Sequence, residues 1–123
     1  MYKMAGGAEK RQQFVSQISN ATTVVHGQLG QLKVIDRRFA NMEALFLEQI
    51  VNNIKTGNNT RAKIIASELS NVKRIRRTTQ HTSLALEAIV IRFSTINEFA
   101  TILDTIDPTI EMIRGIQSEI TRA

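Results

Sequence analysis

The chain has 123 residues and a formal net charge of +5, which is room for one domain with no second composition regime. It has no Cys, one Pro and six Gly, which excludes a disulfide framework and thiolate chemistry and leaves little material for strands and turns. Hydrophobic residues make up 42%, yet no apolar run reaches the roughly 18 residues of a membrane span, so the chain reads as soluble, cytoplasmic and all-α.

Residues 1–8 lack the apolar core of a signal peptide and read as a flexible leader. A first long helix is predicted over about 9–55. Phe14, Ile18, Val25, Leu29, Leu32, Ile35, Phe39, Met42, Phe46, Ile50 and Ile54 recur at steps of three and four and form its apolar stripe. Gly27 and Gly30 lie inside it and cost up to about 1 kcal/mol each relative to Ala. A polar hinge follows at 56–60, centred on Gly57, with Asn59 or Thr60 placed to cap the next helix.

The second helix is predicted over about 60–106. Its stripe runs through Ile65, Leu69, Val72, Ile75, Leu86, Ile89, Phe93, Ile96, Leu103 and Ile106, and is interrupted by the polar run from Thr78 to Ser83. Two amphipathic helices around a short hinge predict a long antiparallel helical hairpin over 9–106. Pairing residue i with 115 − i sets Val25 beside Val90, Leu29 beside Leu86 and Phe46 beside Leu69.

Asp107-Pro108 is then expected to break the helix, with Asp107 as cap and Pro108 in the first turn of a short third helix over 107–123. That segment carries Ile110, Ile113, Ile116 (or Gln117) and Ile120 on one face and reads as the start of a C-terminal regulatory region, with Asp107 and Pro108 as its hinge. Its open apolar face at the end predicts that more chain follows.

Charge is unevenly spread. Lys55 to Arg77 holds seven cations against Glu68 alone, whereas Leu84 to Thr121 holds six carboxylates against Arg92 and Arg114. In the paired register Lys33, Arg37 and Arg38 come level with Lys73, Arg74, Arg76 and Arg77, which predicts a basic belt. Lys55, Arg61 and Lys63 join Gly57 at the hairpin tip. Apolar residues outnumber what one seam requires: Val15, Val34, Leu45, Leu47 and Val51 on the first helix, Ile64, Leu84, Ile91 and Ile102 on the second. Leu47, Val51, Leu84, Ile91 and Ile102, with the carboxylates Glu98, Asp104 and Glu111, are the candidates for self-association.

Catalytic signals are nearly absent. His26 and His81 have no Cys or carboxylate at ligand spacing, Glu43 and Glu48 read as solvated surface charges, and no phosphate-cradling or nucleophile motif occurs. The residues predict a protein without cofactor or enzymatic activity, acting through its surface.

The stretch Ala85-Leu86-Glu87-Ala88-Ile89-Val90-Ile91-Arg92-Phe93-Ser94-Thr95-Ile96-Asn97-Glu98-Phe99, followed by Asp107-Pro108-Thr109-Ile110-Glu111-Met112-Ile113-Arg114, resembles archaeal ESCRT-III-like cell-division proteins of the CdvB family. The likeness covers about residues 84–120. It implies a long basic hairpin followed by shorter helices, and a subunit that forms homo- or hetero-polymers with paralogues on anionic membrane. It further implies constriction and scission during cytokinesis, at the inner face of the membrane at the division site. An AAA+ ATPase of the CdvC type is the implied partner, recruited through a C-terminal segment that has no candidate before Ala123. Two other readings of the same residues stand beside it: a basic coiled-coil hairpin that binds nucleic acid, and a passive helical scaffold.

Overall fold

The computed structural model describes the backbone of residues 2–122. The side chains of residues 1–6, 8 and 123 lie outside the described residues, and with them most of the expected leader. The described residues form two α-helices, α1, Tyr2–Lys55, and α2, Asn59–Arg122.

The turn between them is built from backbone chemistry. The Gly57 N–H donates to the Ile54 carbonyl at 3.1 Å and the Asn58 N–H to the Asn53 carbonyl at 2.7 Å, the paired bonds that close a helix around a left-handed residue. That residue is Gly57, at φ 82°, where a Cβ would carry a steric cost. Asn58 then opens α2, since its carbonyl accepts the first helical bond from Ala62 at 3.0 Å. The capping position therefore falls at Asn58, one residue before the expected Asn59 and two before Thr60.

The expected third helix is absent: α2 continues through Pro108 to Arg122. Proline there removes a helical donor and crowds the carbonyl of Asp104, four residues back, at a cost of about 3 kcal/mol. The chain stays helical because the face turned toward α1 remains covered on both sides of the proline. Ala100 is buried, and Leu103, Asp107, Ile110 and Glu111 are half-buried. Asp107 also does not serve as the expected cap. Its carboxylate, with that of Asp104, is bound by Arg11 of α1.

The chain divides into two compact units, each containing a stretch of both helices. The first comprises 1–24 and 89–123. Ile18 and Ala100 are its buried residues, supported by half-buried Val15, Val90, Phe93 and Leu103. Arg11 donates from Nε to Asp104 Oδ1 at 3.0 Å, matching the expected pairing of position 11 with 104, and a second bond reaches Asp107 Oδ2. The hydrogen bond to Asp107, then that to Asp104, raises the guanidinium pKa further above its ordinary value.

The second unit, residues 25–88, contains the turn. Its buried residues are Leu29, Ala62 and Val72, flanked by half-buried Val25, Leu32, Phe39, Phe46, Ile50, Ile65, Leu69 and Leu86. The α1 seam steps through Leu29, Leu32, Asp36, Phe39, Glu43, Phe46 and Ile50, so two carboxylates occupy core-facing positions. Ile35, Met42 and Ile54, expected in the stripe, stand at its exposed edge instead. The polar run does interrupt the α2 seam: Thr79 and Ser83 are half-buried, and their hydroxyls donate to the carbonyls of Ile75 and Thr79 four residues back.

Candidate functional site

The basic belt belongs to the second unit, and its seven cations do not share one environment. Lys33, Arg37, Arg38, Lys73, Arg74 and Arg77 are exposed. Arg76 is half-buried, donating from Nε to Asp36 Oδ1 at 3.0 Å and from Nη1 to Glu43 Oε2 at 3.0 Å. The Asp36 hydrogen bond is the largest influence raising its pKa above the ordinary arginine value. Gln80 adds a bond to Asp36 Oδ1 at 3.3 Å. Arg76 is thus a seam residue, and Glu43 is not a solvated surface charge. The signal was present in the sequence: Asp36 and Glu43 are seven residues apart and sit in phase with the buried Leu29.

Removing two carboxylates into the seam changes the surface left outside it. Arg74 has Asn71 Oδ1 as neighbour at 3.4 Å. Lys73, Arg76, Arg77, Gln80 and Glu43 line a shallow recess of about 290 Å³, where the exposed cations Lys73 and Arg77 lie one helical turn apart. At the tip Lys55, Arg61 and Lys63 are exposed around Gly57.

The apolar candidates for self-association, Leu47, Val51, Leu84, Ile91 and Ile102, are all exposed, Ile91 most at 66%. The acidic candidates divide. Glu98 is exposed, Asp104 is engaged by Arg11, and Glu111 is half-buried with Oε1 left without a hydrogen-bond partner. Arg11, the residue that joins Asp104 and Asp107, was not singled out by sequence. The Asp107-Pro108 hinge does not act as a break here.

Among the described residues no group of three His, Cys, Asp or Glu could hold a metal ion. Among the described residues no helix is long and apolar enough to cross a membrane. His26 and His81 are exposed.

An extended basic surface on a two-helix scaffold is the setting for the comparison with known proteins. The chain is similar to a cell-division protein. Over 96 residues it is 23% identical to "Cell division protein B1" of Sulfolobus acidocaldarius, a match that covers 78% of this chain and 45% of that protein. The chain therefore spans less than half the length of that relative. No protein-family model matches the chain, and no solved structure does. An all-helical domain weakly related to a cell-division protein is consistent with a structural, non-enzymatic role.

Proposed function

We propose that this chain is a non-enzymatic ESCRT-III-like subunit that polymerises on anionic membrane and remodels, constricts and severs it during cell division. One observation carries the reading. Six of the seven belt cations remain at the surface, while the neighbouring carboxylates Asp36 and Glu43 are consumed by Arg76 in the seam. Each exposed Lys or Arg contributes about 1 kcal/mol near an anionic leaflet, so one chain binds weakly and an assembly of many binds tightly. The likeness to a cell-division protein supports the process. Peripheral attachment at the inner face of the membrane, co-assembly with paralogues, and remodelling by an AAA+ ATPase of the CdvC type belong to the same reading.

The test is cosedimentation with phosphatidylglycerol vesicles. Replacing Lys33, Arg37, Arg38, Lys73, Arg74 and Arg77 by Glu, with Arg76 retained, abolishes binding if the belt is the contact. Undiminished binding overturns the assignment. Binding to duplex DNA that falls steeply with salt, without any affinity for vesicles, would favour the nucleic-acid reading instead.

A further inference from the structure

Arg76-Arg77-Thr78-Thr79 sets two guanidiniums three and two residues before a hydroxyl. That spacing suits a serine/threonine kinase whose acidic cleft receives arginines ahead of the acceptor, through charge-assisted pairs. Thr79 is half-buried, and its Oγ1 donates to the Ile75 carbonyl at 3.0 Å. A kinase therefore reaches it only after the helix opens locally.

The surrounding stretch is where α2 of the second unit opens at least cost. From residue 73 to residue 88, where that unit ends, no residue is buried, and the seam passes through Arg76, Thr79 and Ser83. Thr78, Thr79, Thr82 and Ser83 each bond the carbonyl four residues back, which weakens a helix. Few buried apolar groups are the physical condition for local unfolding.

A phosphate at Thr79 opposes closing again. Arg76 lies one turn away on the same helix and donates across the seam to Asp36 and Glu43, each at 3.0 Å. Of the residues three or four positions from Thr79, namely Ile75, Arg76, Thr82 and Ser83, Arg76 alone is charged. The half-buried positions of α1 from Leu32 to Phe46 supply Asp36 and Glu43 and no cation. Those two carboxylates already outnumber Arg76, and a phosphothreonine adds a charge of about −2. The phosphate takes Arg76 through the i, i+3 spacing and leaves both carboxylates facing the seam without compensation.

We infer that Thr79 is a phosphorylation site and that its modification holds α1 and α2 apart around Arg76. The donor is ATP and the catalyst an arginine-directed protein kinase. A bond forms between Thr79 Oγ1 and the γ-phosphorus as the bond from that phosphorus to the β,γ-bridging oxygen breaks. ADP leaves, and the hydroxyl proton passes to the kinase's base. The consequence belongs to the seam and does not depend on what the belt binds.

The chain is incubated with the catalytic subunit of cAMP-dependent protein kinase, magnesium and γ-labelled ATP. Peptide mapping is expected to find label at Thr79, lost in Thr79→Val and kept in Thr78→Val. Arg77→Ala, which removes an exposed cation, slows incorporation about tenfold. In the phosphorylated chain, amide exchange quickens over 32–46 and 72–83 and is unchanged over 9–20. Thr79→Glu melts below Thr78→Glu, and adding Asp36→Asn to Thr79→Glu recovers part of the loss, which a packing defect alone would not show.

Label absent from Thr79, or confined to Thr78, overturns the inference. So does a phosphorylated chain whose exchange matches the parent, which keeps the test decisive even where Thr79→Glu fails to fold. Equal melting of the two glutamate variants counts against it in the same way.

Discussion

Arg76 of α2 donates to Asp36 of α1 across the seam of the second unit at 3.0 Å, and the same guanidinium reaches Glu43 one heptad further along α1. Two carboxylates at core-facing positions are tolerable only with that cation between them. Removing one member of such a set leaves the others facing a partly apolar seam without compensation, which costs more than the set contributes. Arg76→Ala is therefore expected to lower the melting temperature more than Arg77→Ala, which removes an exposed cation of the same helix turn. Thermal unfolding followed by circular dichroism checks the order, and equal shifts would count against the seam role.

Replacing the whole set has the opposite expectation. In Asp36→Leu/Glu43→Leu/Arg76→Leu the seam becomes continuous, and stability is expected to be unchanged or higher. What is lost is registry, because a uniform apolar repeat permits sliding by a heptad. Spin labels at Leu32 and Ser83 should give one distance in the parent and a broadened distribution in the triple variant.

Pro108 is a second site where helix propensity and packing oppose each other. Pro108→Ala restores a donor to the Asp104 carbonyl and is expected to stabilise α2 by up to about 3 kcal/mol. Arg11→Ala, by freeing Asp104 and Asp107, is expected to speed amide exchange around 104–112 while leaving 60–90 unchanged. Uniform acceleration along α2 would mean that Arg11 has no local role at the proline.

At the turn, Gly57 has open space where a Cβ would stand, so only its positive φ opposes substitution. Gly57→Ala is expected to cost about 1–2 kcal/mol, and Gly57→Asn less, because Asn tolerates the left-handed region. Chemical denaturation of both variants checks the difference.

Burial sets a further contrast. Leu29 is 9% exposed, and Leu29→Ala is expected to cost about 2 kcal/mol or more. Leu84 is 62% exposed, and Leu84→Ala is expected to fall within about 0.5 kcal/mol of the parent. A comparable loss at Leu84 would show that its face is covered in the assembled protein.

Much of the fold was legible because helical periodicity and a single glycine-centred break are local properties. They place two long helices around Gly57 and bring position 11 level with 104. Composition likewise determined that this chain has no cysteine chemistry and that its cations crowd residues 55–77. Tertiary structure decided three other things. Whether Pro108 ends a helix depends on the covered face around it, since Ala100, Ile110 and the Arg11 contacts keep α2 continuous. Which cation leaves the belt depended on which α2 residue came opposite Asp36 and Glu43, and it was Arg76. The division of apolar residues between seam and surface was decided there too: Phe14, Ile35, Met42, Ile54, Ile75, Ile96 and Ile106, all expected in the stripes, stand exposed. A sequence carries the spacing of its charges, but their neutralisation is a property of what the opposing helix presents.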